Sequence, residues 1–400
     1  MPKDFPFHPS PSHANQPPGE LPQSQLRAFL LGRTNYERTV PGGSPRSKVF
    51  KLSRTRELLD RLGNPDRGYP ILHVTGTKGK GSTAGIAAGI LQAAGYRVGA
   101  FTSPHLWHVE ERLAVQGRPC PPEHFDQVLE EIWPIVREMD ADWEGMGEGG
   151  PTYFEILTAM AALYFARQGV DLAVLEVGLG GRLDATNVCR PAVSVITSIS
   201  YDHTDILGTS LKQIAWEKAG IIKRGTPVVS GVTDAEPKEV IRRVAAKRGA
   251  PWIALPEHLA YRYRPPRHLE LGDGRGWVEM EIRLPEEPPF FLQSELRPVG
   301  EHQARNAMLA VAALRRLQRD LGFRIPPTAY REALANVAAP ARIEVVRRKP
   351  VVVIDAAHNV ASAEVLCRTL NECFDARRKW AVFGTTQGKD YEGMLRLLAS

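Results

Sequence analysis

The stretch HVTGTKGKGST (His73–Thr83) constrains this chain more than any other. It joins an apolar, β-branched run, Ile71–Thr75, to a helical pattern from Ser82 to about Ala94, where Gly95 supplies the stop. Gly76, Gly79 and Gly81 omit the Cβ atoms that would hold backbone amides away from an anion. The new helix adds unpaired N–H groups and about half a positive charge at its start. Strand, glycine turn and helix in that order predict a parallel α/β unit with a phosphate loop. Gly79, Lys80, Gly81 and Ser82 are expected around the phosphates, with Lys80 placed for the β/γ-phosphates. The usual ending is G-K-[ST], whereas here Gly81 separates Lys80 from Ser82. That spacing argues against an ordinary NTPase. The plain alternative is a glycine turn that only caps a helix.

Further strands are predicted at Val98–Thr102, Leu172–Val177, Val193–Ile199 and Pro227–Ser230, with a helix at Phe154–Gln168 stopped by Gly169. Polar clusters follow these runs: Ser103 to His105, Glu176 to Asn187, and Asp202 to Asp205. Open parallel sheets bind ligands beyond such strand ends. The Pro- and Arg-rich stretch Tyr261–Pro298 reads as an edge hairpin region leading to a boundary near Arg297–Pro298. The pattern then restarts with a helix at Gln303–Arg319, a strand at Val351–Asp355, a helix at Ala361–Phe374 and a strand at Trp380–Phe383. Three segments are therefore expected: a disordered tail (1–25), an ATP-binding central domain (26–297) and a smaller α/β domain (298–400), the last with too few strands to be complete.

Composition narrows the partners. The net charge of +6, from 51 basic and 45 acidic side chains, is mild for 400 residues and scattered. It suits small polyanions and does not require nucleic acid. The four cysteines form no C-x-x-C pair, which fits a reducing, cytoplasmic setting. No apolar run reaches 18 residues, so no membrane span is predicted.

Glu176 ends the run DLAVLEV, and a carboxylate buried there needs a cation. Magnesium beside nucleotide phosphates would supply it; Arg182 is the alternative partner. His203 in SYDHTD is a second candidate ligand. The GLGG fragment lacks the third glycine of a dinucleotide fingerprint.

The segments HVTGTKGKGS, FTSPHLWHVEERLAVQG, TYFEILTAMAALYF, LEVGLGGRLDATNV, ISYDHTDILG, EKAGIIK, EHQARNAMLA, PARIEVV and VIDAAHN occur in one consistent order. The chain thereby resembles the folylpolyglutamate synthase/dihydrofolate synthase family of the Mur ligase superfamily. That resemblance implies a P-loop-containing parallel-sheet N-terminal domain and a smaller Rossmann-like C-terminal domain. It implies ligation of L-glutamate to a reduced folate or to dihydropteroate, driven by ATP through an acyl phosphate; which of the two substrates, or both, stays open. It also implies two magnesium sites, with K⁺ as a further cation, and a monomer. By resemblance Ser103, Glu176 and His203 hold metal, and Lys218 of E-K-A-G-I is carbamylated. Thr77, Lys78, Gly79, Lys80, Asn306, Arg342 and Asp355 contact ATP, and His358 lies near the reacting groups. The substrate side falls to Asn35, Tyr36, Glu37 and Arg38, to Thr152, Tyr153, Phe154 and Glu155, and to Leu183, Asp184 and Ala185. Lys78 stands where many bacterial relatives carry Asn. Two glycines of the family pattern are replaced, by Ala341 in P-A-R and Ala356 in D-A-A-H-N. Wherever the glycine had positive φ, alanine is strained by about 1 kcal/mol or more. A Mur-type ligase for another carboxylate, a nucleotide switch and a relative without catalysis are the competing readings. The switch should carry an N-K-x-D element, and the sequence has none.

Overall fold

The computed structural model describes residues 23–36, 50–146, 148–285, 287–376, 378–386 and 389–399. Most of the tail expected over 1–25 lies outside them, but its last residues already belong to a helix, α1 (Gln23–Gly32). Next come α2 (Leu52–Arg61), β1 (Ile71–Thr75) and α3 (Lys80–Ala93). They are followed by β2 (Val98–Phe101), β3 (Leu113–Val115), β4 (Arg118–Pro119), α4 (Pro122–Gly145), α5 (Tyr153–Arg167), β5 (Leu172–Glu176) and β6 (Val193–Ile196). The short α6 (Thr204–Leu207) and α7 (Leu211–Ala219) lead to β7 (Val228–Ser230), α8 (Ala235–Lys247) and β8 (Trp252–Ala254).

These eight strands form one sheet in the order β4-β3-β2-β5-β1-β6-β7-β8. From β2 to β8 all neighbours are parallel, and only the β2–β3 and β3–β4 pairs at one edge are antiparallel. Every residue of β1 and β5 is buried, which is why both read as unbroken apolar runs and not as alternating ones. Val74 pairs with Glu176 and Thr75 with Ile196, so the phosphate loop, the Glu176 turn and the segment after β6 leave the sheet side by side.

A three-stranded antiparallel sheet follows, β9 (Leu259–Arg264), β10 (Gly276–Ile282) and β11 (Phe290–Leu296), where a hairpin region was expected. Helices α9 (Glu301–Leu321) and α10 (Pro327–Asn336) come next. Both lie beyond the boundary expected at Arg297–Pro298, yet Met308, Leu309, Val311, Leu314, Tyr330 and Leu334 are buried in the same cluster as Ile86, Ile90 and Leu91 of α3. An apolar face on α3 needs a cover, and α9 with α10 provides it.

The C-terminal part consists of β12 (Glu344–Arg348), β13 (Val351–Ile354), α11 (Val360–Cys373) and α12 (Tyr391–Ala399). It is α/β as expected, but its two strands pair antiparallel. The strand predicted at Trp380–Phe383 is not formed: among the described residues no neighbouring strand meets it, and Trp380 and Val382 are exposed. Among the described residues no helix is long and apolar enough to cross a membrane.

Candidate active site

One cavity of about 730 Å³ opens over the carboxyl ends of β1, β5 and β6 and is roofed by the C-terminal part. The phosphate loop forms its floor. Gly76, at φ 153°, passes so close to Thr197 that a Cβ would lie 1.8 Å from its hydroxyl. Gly79, at φ 83°, leaves no room for a Cβ beside Asn306 Oδ1, at 2.3 Å. The segment after β6 grips the loop: Thr77 N–H donates to Ser198 O (2.8 Å), Lys78 N–H to Ser198 Oγ (2.9 Å), and Thr197 Oγ1 to Lys78 O (2.6 Å). Helix α3 then starts with no side chain capping it and no acid in its first turn, leaving its N-terminal amides for an anion.

Glu176 is buried beside this start, where its Oε2 accepts the Ser103 N–H at 3.1 Å. Burial raises its pKa, against the pull of Lys80 and the Ser103 amide. The alternative partner is excluded by geometry, because Arg182 pairs with Glu217 at 2.9 Å. His203, in the left-handed region at φ 50°, lines the same cavity. Burial lowers its pKa to about 4, so its imidazole is neutral and able to ligate. A buried carboxylate lacking a strong cation, a neutral imidazole and Ser103 suit a divalent ion that also takes phosphate oxygens. Among the described residues no three His, Cys, Asp or Glu side chains gather into a cage of their own. Lys218 is buried, and its Nζ donates to Gly76 O at 3.0 Å, under the phosphate loop.

At the other end the cavity is aromatic. Tyr36 and Phe50 meet at 4.9 Å between centroids, and Phe154 packs on Phe101 at 5.5 Å. Phe154 lies over Gly178, where a Cβ would come within 2.6 Å of the ring. Thr152 and Glu155 form the capping box that starts α5, and Glu155 also accepts Arg54 Nε and Nη2, both at 3.0 Å. Asp184 accepts the Leu179 and Thr186 amides, at 2.8 and 3.0 Å. Both carboxylates thus shape the pocket wall through bonds within the chain.

The roof carries Arg342, Asp355 and His358. Asp355 accepts the Ile343 and Ala357 amides at 2.9 and 2.7 Å, while burial raises its pKa. Ala341 and Ile343 flank Arg342 with φ of 52° each, so the turn presenting Arg342 is strained. Ala356 is not in that region, so only one of the two replaced glycines matters to the backbone. Helix α9 adds Asn306, His302 and Gln303; His302 Nδ1 and Gln303 Nε2 are buried without a partner among the described residues. Unsatisfied polar atoms on a cavity wall suit a polar ligand.

Of the expected site residues, Thr77 to Ser82, Ser103, Glu176, His203, Lys218, Asn306, Arg342, Asp355 and His358 line this one cavity. So do Tyr36, Thr152, Phe154, Glu155, Leu183, Asp184 and Ala185. Tyr153 is instead buried in the core beside Arg112, since the first turn of α5 turns its ring inward. Asn35 is not part of the lining, and Glu37 and Arg38 lie outside the described residues. Phe50, Arg54, Asp202, His302, Gln303 and Lys389 were missed. The segments EHQARNA and YDHTD carried three of them in plain view, whereas Phe50, Arg54 and Lys389 stand in no recognisable pattern.

A phosphate loop on a parallel sheet, with a carboxylate–imidazole pair and a second lobe over it, defines a Mur-type ligase. The Mur ligase middle domain matches residues 74–314, and the Mur ligase glutamate ligase domain matches 341–400. A dihydrofolate synthase/folylpolyglutamate synthase of Bacillus subtilis is 38% identical over 373 residues, covering 93% of this chain and 81% of the relative. Its counterpart in Mycobacterium tuberculosis is 39% identical over 408 residues, covering 97% and 80%. The M. tuberculosis folylpolyglutamate synthase solved with ADP and AMPPCP superposes with a TM-score of 0.81 at 35% identity, over 94% of this chain and 79% of that one. An FPGS–AMPPCP–folate complex gives 0.80 at 29% identity, over 95% and 87%. The chain belongs to the folylpolyglutamate synthase/dihydrofolate synthase family.

Proposed function

We propose that this chain is an ATP-dependent ligase that joins L-glutamate to a folate-type carboxylate. The observation that carries the reading is the single cavity, with a phosphate cradle at one end and an aromatic cleft at the other. A flat heterocycle between Tyr36, Phe50 and Phe154 would direct its carboxylate tail toward the phosphate loop. The γ-phosphoryl group passes from ATP to that carboxylate, with release of ADP. The glutamate amine then attacks the acyl carbon, the C–O bond to phosphate breaks, and the amine loses a proton. Phosphoryl transfer needs positioning and charge neutralisation more than covalent help. Lys80 and the start of α3 would hold the phosphates, Arg342 would meet charge developing opposite them, and His302, Gln303 and Asn306 would face the nucleotide. A roof closed over the bound substrates would keep water out and protect an acyl phosphate from hydrolysis.

Ser103, Glu176 and His203 would hold magnesium, which when bound neutralises phosphate charge. Carbamylation of Lys218 would turn the buried ammonium under the loop into an anionic group able to hold a second ion. The chain would act in the cytoplasm as a monomer; its four cysteines, free thiols among the described residues, suit such a reducing compartment.

The test is ATP-dependent incorporation of labelled glutamate, comparing dihydropteroate with reduced folate monoglutamates. Incorporation into one or both sets the substrate. Incorporation into neither, with ATP hydrolysed alike with and without pteridine, would overturn the reading.

A further inference from the structure

Asp202 was not among the expected site residues, yet it lines the cavity and pairs with groups from both sides of it. Its Oδ2 accepts Lys78 Nζ of the phosphate loop at 3.0 Å, and its Oδ1 accepts Lys389 Nζ at 2.9 Å. Asn359 Nδ2 reaches Oδ2 at 3.5 Å, and His358 Nε2 stands 3.8 Å away. His203, its neighbour in sequence, is at 3.9 Å. Lys78 Nζ also meets His358 Nε2 at 2.9 Å. The His358 Nδ1–H is directed at Ala356 O (2.9 Å), which leaves Nε2 as the acceptor for the lysine. Thus one carboxylate, nearly buried, draws together a residue of the loop and three residues of the C-terminal lobe.

We propose that Asp202 is a positioning residue that clamps the C-terminal lobe onto the phosphate loop. The segment bearing Asp202 is already bonded to the loop through Ser198, Thr197 and Ser200, the last accepting the Thr77 hydroxyl at its carbonyl oxygen (3.2 Å). Floor and clamp are therefore one rigid piece, and only the lobe has to arrive. Lys389 precedes α12 and His358 precedes α11, so the carboxylate fixes the lobe at two places and sets its angle over the loop. Lys78 has a share in this: where a shorter side chain stands at that position, the bond across the cavity to His358 is lost. The consequence for catalysis, that Arg342 and His358 come to the reacting groups, rests on the ligase reading. The geometry of the clamp does not.

Hydrogen exchange of the free chain tests it, with Asp202→Asn, Lys389→Met and the double variant. Exchange at Lys78 and at Ala357–Asn359 should rise on the order of tenfold in each single variant, as for other coupled contacts. The double variant should add little to either, while amides of β5 keep wild-type rates. Unchanged exchange at Ala357–Asn359 in both single variants would overturn the clamp. Should Asp202→Asn fail to fold, Lys389→Met decides alone, because its side chain is partly exposed and outside every core cluster. In the glutamate assay the clamp predicts a lower kcat and a higher KM for glutamate, with AMPPCP affinity changed less than either. A merely structural role would lower thermal stability and AMPPCP affinity together. If the wild-type chain ligates no glutamate, the ligase reading falls, and the exchange result still stands or fails by itself.

Discussion

Lys80 opens α3 and lines the cavity, close enough to Glu176 to favour its charged form. Lys80→Ala should lower glutamate ligation on the order of 10²-fold, the scale of one preorganised electrostatic contact. Near-normal turnover at saturating ATP would contradict this placement. Ala341 offers a test of opposite sign. Its φ of 52° is left-handed, so Ala341→Gly should stabilise the fold by about 1 kcal/mol in urea unfolding. His73 is fully buried under the substrate loop. Thr186 Oγ1 donates to Asp184 Oδ1 and must accept from His73 Nε2–H (2.8 Å), leaving Nδ1 for the Cys189 thiol at 3.6 Å. Burial lowers the His73 pKa to about 3, against 6.5 unfolded. Between those values the unfolded chain binds the extra proton, so stability falls as pH falls from 6.5 toward 3. The slope approaches about 1.4 kcal/mol per pH unit. His73→Gln should flatten unfolding free energy between pH 7.5 and 5 relative to the wild type.

The elements differ in how plainly the sequence announced them. Strands β1 and β5 and helices α3 and α5 were legible because glycine stops, capping residues and unbroken apolar runs are local signals. The Thr152–Glu155 box is such a signal, and Thr152→Ala should cost about 1 kcal/mol in thermal unfolding. The companionship of elements was not local. Nothing in Glu301–Leu321 says that its apolar face covers α3 and not a second sheet, because both covers need the same periodicity. The run Trp380–Phe383 shows the reverse failure, since β-branched and aromatic composition cannot create a strand without a neighbour to pair with. Tyr153 was misplaced for a similar reason: an aromatic at a helix start faces core or cleft depending on a rotation of one residue. Much of the site came from family resemblance, with Lys218 the clearest instance, since a lysine in a short helix carries no mark of burial.

At the scale of the molecule, sheet, roof and α9 all contribute to the cavity wall, so a ligand bound there touches all three. AMPPCP at 100 times its Kd should raise unfolding free energy by about 2.7 kcal/mol, read as a rise in melting temperature. No shift at saturating nucleotide would mean that the folded chain does not bind it in preference to the unfolded one. The packing of α9 on α3 has one more consequence, for the making of the protein. Gly79 of the loop and Asn306, which presses against it, are far apart in the chain, with a whole antiparallel sheet between them. Contacts of such long sequence separation form slowly. On the ribosome the cradle for phosphate would emerge early, its greasy flank bare until α9 is synthesised, so nucleotide competence is acquired late and this interval is when the nascent chain most needs a chaperone.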